Sequence, residues 1–285
     1  MGYEHPSGPW PCRGTVTSCT RASPPRRLRV ATALAAAALA CAAAGPGAAQ
    51  DARRQLEAGG IHYGLSAPLA DTRGGYLRAT RTRGPSTLRA AVTHLDRFDD
   101  TGTQFGVGYD REIGPDYLAR IDAATSGGGF FWPRLRVDAS AGRRWLARRN
   151  LVTWVGVGYY DAKDAHEDVS VSFDAAYYFG TPWIAMGGLR VNDSQPGGVV
   201  STSGYMALTH GRDRGRYVTL RYGTGNQAYE PLAAGTAAVD FPFHQVTLTC
   251  RQWLGRNWGV NVVVDGLRSD AYDQTGVEVG VFADF

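Results

Sequence analysis

The histidines and serines of the chain are the residue types from which a hydrolase builds a base and a nucleophile. Some lipases and deacylases place a His and a Ser two residues apart on one strand face, within hydrogen-bond reach. No such serine follows the histidines beyond residue 50, which are His62, His94, His166, His210 and His244. Ser201 and Ser203 precede His210 by seven to nine residues. That separation is about 24–31 Å along a strand. The sequence therefore predicts no catalytic residues.

The acidic segment 161–168 is the one weak candidate for a metal site in the sequence. Its carboxylates could bind a divalent cation, but it lacks the ligand spacing and the central glycine of a defined calcium loop. A solvated loop is therefore the favoured interpretation. The cysteines are Cys12, Cys19, Cys41 and Cys250. Only Cys250 lies beyond residue 49, which excludes an intrachain disulfide or a cysteine metal cluster in that part of the chain. We expect no metal and no cofactor.

The first 49 residues predict a secretory signal peptide. Arg26, Arg27 and Arg29 precede an apolar run over residues 30–44, and small residues follow up to Ala49. A basic region, a short apolar region and a small-residue break are typical of such a leader. A membrane anchor and a lipoprotein are the alternatives. Residues 1–25 are unusually long for a basic region, so we expect them to be an extension upstream of the natural start.

The charge of the chain excludes nucleic acid as an expected partner. The chain has 285 residues, 44% of them hydrophobic, and a formal net charge of +4. The leader holds five arginines and one glutamate, which leaves 25 basic and 25 acidic residues in segment 50–285. A neutral segment without a basic patch does not attract a phosphate backbone. The apolar fraction also excludes a disordered chain.

Apolar and polar residues alternate with period two through segment 50–285, in stretches of about ten residues separated by turn signals. The clearest stretches are residues 103–113, 117–123, 134–141, 169–179, 258–266 and 277–285. Such alternation predicts an all-β chain.

Three features favour a membrane barrel over a soluble periplasmic β-sandwich, which remains the alternative fold. Tyrosines and tryptophans cluster near strand ends, as in an interfacial girdle; they are Tyr117, Trp132, Tyr159, Tyr177, Trp183, Trp253 and Trp258. The polar face is crowded with glycine and small residues, as a tapering barrel interior requires. The last strand ends on an aromatic residue, Phe285, which we expect to close the barrel. The sequence thus predicts one transmembrane up-and-down antiparallel β-barrel over residues 50–285, with 12–14 strands and both termini in the periplasm.

Connector lengths give the expected orientation. Long outer loops and short periplasmic turns are the known asymmetry of these barrels. Counted backwards from a periplasmic C-terminus, the outer loops are predicted at 68–74, 96–102, 125–131, 161–168, 192–199, 223–240 and 268–276.

Charged residues recur on the inward face of these strands. Unpaired charges in a narrow barrel would cost several kcal/mol each, so we expect cross-strand ion pairs. Either a structural network that fills the interior or a small, weakly selective polar pore would fit this balanced lining. The candidate lumen-lining residues are Asp110, Glu112, Arg120, Asp122, Arg134, Arg136, Asp138, Asp174, Arg190, Arg221, Arg251, Asp265 and Glu278.

The chain resembles the YaiO-type family of outer-membrane β-barrel proteins. The most telling stretch is GRYVTLRYGTGNQAYEP at residues 215–231, interpreted as a strand followed by a Gly-rich outer loop with an aromatic residue and a proline. Segments 151–193, ending YYFGTPWIAMGGLRVND, and 245–285 fit the same order of strands and loops. The resemblance implies an outer-membrane location and a barrel architecture, and little about chemistry.

Together these observations predict a non-enzymatic outer-membrane barrel that passes small polar solutes or serves a surface or export role. The alternative is an enzyme that modifies phospholipid or lipid A. Expected partners are outer-membrane lipid, lipopolysaccharide and the barrel-assembly machinery, and the oligomeric state stays open.

Overall fold

A computed structural model describes residues 52–211, 214–233 and 236–285. The predicted leader lies outside these residues. Within them the chain forms fourteen strands: β1 (Ala52–Leu65), β2 (Thr72–Arg83), β3 (Ser86–Arg97), β4 (Asp100–Ile113), β5 (Tyr117–Gly128), β6 (Leu135–Trp145), β7 (Leu151–Asp161), β8 (Glu167–Tyr178), β9 (Trp183–Gln195), β10 (Val199–Gly211), β11 (Arg216–Ala233), β12 (Thr236–Trp253), β13 (Trp258–Ser269) and β14 (Asp273–Asp284). The described residues contain no helix long and apolar enough to cross a membrane.

The strands form one closed antiparallel barrel in which each strand pairs with the next and β14 pairs with β1. The Phe285 N–H donates to the Arg54 carbonyl at 2.8 Å, and the Arg54 N–H donates to the Phe285 carbonyl at 3.3 Å. Both ends of the described chain therefore meet at one end of the barrel, which we call the proximal end; the opposite end is the distal end. Closure leaves no unpaired edge, and it confirms the predicted fold class with the larger strand number.

The two faces of the barrel wall have opposite character. Large apolar side chains stand exposed on the outer surface, with Leu189 at 62%, Met206 at 66% and Val279 at 50% exposure. The alternate positions point inward, where Glu57 and Phe282 are buried. Exposed hydrophobic residues around a polar interior are the arrangement of a barrel in lipid. A soluble sandwich would bury its apolar faces between two sheets, and the single closed sheet excludes it.

The predicted aromatic girdle is confirmed for four residues at the proximal end. Tyr117, Tyr177, Trp183 and Trp258 are exposed near the proximal ends of their strands. Tyr159 is exposed near the distal end.

For Trp132 and Trp253 the girdle prediction was wrong. Trp253 lies on the inward face of β12, with its ring centroid 4.9 Å from that of Phe282, and its indole N–H donates to Asp284 at 3.2 Å. Trp132 lies in the β5–β6 connector and packs against the buried cluster of Ile61, Tyr76 and Leu95. Aromatic content near a strand end does not reveal which face carries the ring.

The prediction of an outer loop at 223–240 was also wrong. β11 and β12 are 18-residue strands, and Gly223 and Thr224 pair with Gln245 and His244 within them. Glycines and a proline suggested a loop, but pairing with a long partner strand overrides that local preference. The predicted loop at 96–102 is likewise shorter in the structure, where a two-residue turn joins β3 and β4. Both turn residues have positive φ, Phe98 at 54° and Asp99 at 59°. Positive φ at both central residues is the hairpin geometry that matches strand twist.

A charged lumen closed at its distal end

The lumen holds a cavity of about 790 Å³ along the inner faces of β2 to β10. Glycines on neighbouring strands make room for its carboxylates: a Cβ at Gly188 would overlap Asp174, and one at Gly108 would overlap Asp122. Five arginines and three aspartates line the cavity, and three of these arginines also pair with carboxylates that lie beside it, Glu57, Glu278 and Asp110. The charged lining residues are Arg78, Arg89, Arg120, Asp122, Arg136, Asp138, Asp174 and Arg190.

One ion-pair network crosses β3, β4 and β5. Arg89 contacts Asp110 (Nε to Oδ2, 2.8 Å) and Asp122 (Nη2 to Oδ1, 2.9 Å). Arg120 contacts the other oxygen of Asp110 (Nε to Oδ1, 2.5 Å). Asp110 thus accepts from arginines on both neighbouring strands, and Asp122 accepts from Arg89 two strands away. Charges in a confined interior require such pairing.

Arginine charge is less fully matched on β6 to β11. Arg136 contacts Asp138 at 2.6 Å, whereas Arg190 reaches the same carboxylate only at 4.0 Å and donates to Ser170 Oγ at 2.7 Å. Arg221 lies over the Tyr205 ring, 4.3 Å from its centroid, and forms no ion pair with a described carboxylate. Of these three arginines, Arg136 and Arg190 line the cavity, where they share the Asp138 carboxylate.

The opposite wall, on β12, β13, β14, β1 and β2, is filled by side chains. Glu57 is 6% exposed and accepts from Arg251 at 2.7 Å, Tyr76 at 3.0 Å and Arg78 at 3.4 Å. The Arg251 guanidinium lies 3.7 Å from the centroid of the buried Phe282 ring. The lumen is thus asymmetric, packed on this wall and hollow on the other.

A cluster spans the barrel at its distal end. Arg97 Nη2 on β3 lies 3.1 Å from Glu230 Oε1 on β11, and these strands are six positions apart around the ring of fourteen. Arg97 also donates to the Tyr272 hydroxyl at 2.8 Å. Burial, reinforced by the Glu230 charge, raises the pKa of Tyr272, so its hydroxyl stays protonated. We call Arg97, Phe98, Glu230 and Tyr272 the distal cluster; Phe98 is 4% exposed.

The connector between β7 and β8, residues 162–166, covers the distal opening from the other side of the barrel. Lys163 Nζ donates to the carbonyls of Gly128 and Gly129, the latter at 2.8 Å, and burial lowers the pKa of Lys163. The ring of Tyr229 stacks on His166 with centroids 3.6 Å apart, and its hydroxyl donates to Asp164. The distal opening is therefore covered by side chains from connectors and strand ends.

The structure distributes the thirteen predicted lumen residues over several places. Six line the cavity: Arg120, Asp122, Arg136, Asp138, Asp174 and Arg190. Asp110 pairs with Arg89 and Arg120, and Arg221 stacks on Tyr205. Arg251, Asp265 and Glu278 belong to the packed wall, where Asp265 accepts from Thr247 at 2.7 Å and Glu278 from Tyr63 at 2.5 Å. Glu112 pairs with Arg144 at the proximal rim, and Arg134 pairs with Asp161 at the distal rim.

Several residues inside the barrel were not among those predicted from the sequence. Arg89 and Arg97 share the inward face of β3 with apolar Leu95, so that face gave no clear polar signal. Glu57 lies on the first strand, where the alternation is weak, and Glu230 lay in a segment predicted to be a loop. The alternation of inward and outward positions, extended through β1 and β3, would have placed Glu57, Arg89 and Arg97 on the inward face.

A Ser–Asp–His group occurs near the distal end, but its order is unsuited to nucleophilic catalysis. His166 Nε2 lies 2.9 Å from Asp168 Oδ1, and Ser194 Oγ donates to that same oxygen. A triad places the histidine between serine and carboxylate, whereas here the carboxylate separates the other two. Among the described residues, no group of three or more His, Cys, Asp or Glu residues is placed to hold a metal ion.

A closed barrel with an apolar exterior, exposed aromatic residues near strand ends and a charged lumen defines the class of outer-membrane β-barrel proteins. The family described as YaiO membrane beta barrel domain matches residues 54–230, more than half of the chain. The chain therefore belongs to the YaiO family and resides in the bacterial outer membrane.

The chain is also similar to solved structures of outer-membrane proteins. The outer membrane protein Omp33 of Acinetobacter baumannii is 13% identical with a TM-score of 0.50, covering 82% of this chain and 99% of that one. An anion-selective porin from Comamonas acidovorans is also 13% identical, with a TM-score of 0.44 and coverage of 82% and 99%. The translocator domain of the autotransporter NalP from Neisseria meningitidis is 12% identical, with a TM-score of 0.44 and coverage of 91% and 96%. No curated protein matches the chain.

Proposed function

We propose that this barrel passes small polar solutes, anions in preference, along the arginine-rich side of its lumen, and that it is not an enzyme. The observation that carries the proposal is the cavity of about 790 Å³ lined by five arginines and three aspartates. Positive charge on a narrow, low-dielectric wall concentrates anions.

Passage requires the distal cluster to open. Arg97 and Glu230 bridge the mouth with side chains that are less than one fifth exposed, so their ion pair lies across the distal path of a solute. The barrel is thus proposed to be gated, with Arg97 leaving Glu230 in the open state.

The reversal potential in a planar bilayer under a salt gradient tests this proposal. The sign is expected to show anion preference whenever the barrel opens. Cation preference would contradict the assignment of the arginine-lined path. A folded barrel that stays silent even after its distal cluster is removed would instead favour a surface or export role.

The non-enzymatic part rests on the Ser194–Asp168–His166 order, since a base separated from its nucleophile cannot activate it. Analysis of phospholipid and lipid A after gene deletion tests it. A modification that disappears on deletion and returns with the intact gene would overturn it.

A further inference from the structure

The outer surface carries a groove that runs from β1 across β2 to β5. Ala79, Ala90, Val107 and Ala123 follow one another as direct cross-strand partners and form its floor. Three of these four residues are alanines, and a depression of about 620 Å³ lies over them in the lipid-facing wall. This volume lies within the range of about 300–1,000 Å³ that is typical of small-molecule sites.

Larger side chains border the floor on both sides. The distal border is formed by Leu77, Val92 and Phe105, which pair across strands in that order. The proximal border begins with Arg81 and continues through Leu88 and Tyr109. Because barrel strands tilt by about 35–45°, a row across strands descends obliquely through the membrane. The groove therefore fits an extended apolar chain.

Positive charge lies at the proximal edge of this groove. Arg81 borders it, and Arg83 and Arg111 flank Ser86 in the next row towards the proximal turns. Arg111 donates to Ser86 Oγ at 2.6 Å. Within the described chain, Arg81 and Arg83 form no ion pair with a carboxylate.

The position of these arginines suits a headgroup. Arg81 is three residues from Gly84 of the β2–β3 turn, or about 10 Å along the strand. An arginine on the lipid face near the interface costs about 0–1 kcal/mol, compared with about 2–4 kcal/mol at the midplane. The charges thus lie at headgroup depth and the apolar floor lies deeper.

We propose that this surface is a specific site for a glycerophospholipid of the proximal leaflet. Its phosphate would be bound by Arg81, Arg83 and Arg111, and one acyl chain would lie on the floor formed by Ala79 and Ala90. Charge at one edge of an apolar groove matches the two parts of such a lipid, whereas a protein partner would need a broader complementary surface.

Native mass spectrometry of the protein purified from outer membranes tests this site, by titration with dioleoylphosphatidylglycerol. We expect one lipid to be retained more tightly than the rest, and dioleoylglycerol, which lacks the phosphate, to bind weakly. R81Q/R83Q should weaken the tight binding about 30-fold, as expected for loss of two basic contacts at a membrane surface. A90F should remove it by filling the groove.

Matched controls lie outside the groove. R216Q changes an arginine at the proximal start of β11, and A185F enlarges an alanine on β9; both should leave lipid binding unchanged. Heat-modifiable gel migration establishes that each variant is folded, and A79L replaces A90F if the latter does not fold. Unchanged binding in R81Q/R83Q or in a folded groove-filling variant would overturn the proposal, as would equally tight binding of dioleoylglycerol.

Discussion

Arg97 Nη2 lies 3.1 Å from Glu230 Oε1, although 133 residues separate the two in sequence and six strand positions separate them around the barrel. This ion pair joins nearly opposite sides of the distal mouth. Its acceptor is further fixed by Gln227, whose amide donates to the second carboxylate oxygen at 2.7 Å. In the proposed gating, opening of the barrel must break this contact.

Loss of Arg190 should weaken the anion preference of the lumen. Arg190 lines the cavity and shares Asp138 with Arg136 at 4.0 Å and 2.6 Å, respectively. R190Q removes one positive charge and leaves the aspartate to Arg136, so the reversal potential should move towards the nonselective value. R216Q, which changes an exposed arginine at the proximal start of β11 outside the cavity, is the matched control. A shift in the opposite direction would contradict the proposed path.

Glu57 should be a large single contributor to the stability of the packed wall. It is buried and accepts from Arg251, Tyr76 and Arg78. E57A would leave the half-buried arginines without their carboxylate, and removal of one partner of a buried pair costs about 3–5 kcal/mol. Denaturant unfolding of the refolded protein in detergent measures the change. E57Q keeps the shape and should cost less; equal, small losses in both variants would exclude this role.

The chain end should be needed for efficient assembly. Phe285 exchanges two backbone hydrogen bonds with Arg54 where β14 meets β1, and its ring is 67% exposed on the outer surface. Deletion of Phe285 removes those bonds, and F285D places a charge on the lipid face. Both should lower the folded outer-membrane level on heat-modifiable gels, while F285W should not. Normal levels of the first two variants would refute a role in closure.

Ser194 and His166 should be dispensable for envelope lipid composition. The Asp168 carboxylate lies between them, so the serine does not contact the histidine as it would in a triad. Lipid profiles of S194A and H166A cells should equal those of wild type by mass spectrometry. A lipid species missing in both variants and in the deletion strain would establish an enzyme instead.

Much of the barrel could be predicted from sequence because each strand faces lipid on one side and a polar lumen on the other. That environment imposes period two, and period two assigns inward residues such as Asp122 and Asp138 without knowledge of the fold. The alternation also located most strands and the aromatic chain end.

The distal closure could not be predicted in the same way. The β11–β12 hairpin contains glycines and a proline that are typical of loops, yet it is paired almost throughout. The inward position of Trp132 depends on how a connector folds over the lumen. Contact between Arg97 and Glu230 depends on barrel circumference and strand register, which local sequence does not encode.

Single-channel recording of R97A/E230A beside the wild-type protein tests the gated-lumen proposal most directly. The wild-type barrel should open rarely, because the distal cluster bridges its mouth. The double variant should show long open steps with anion preference, and E112A/R144A, which removes a pair at the proximal rim, should behave as wild type. A folded double variant that remains silent would contradict the proposal that this cluster gates a conducting lumen.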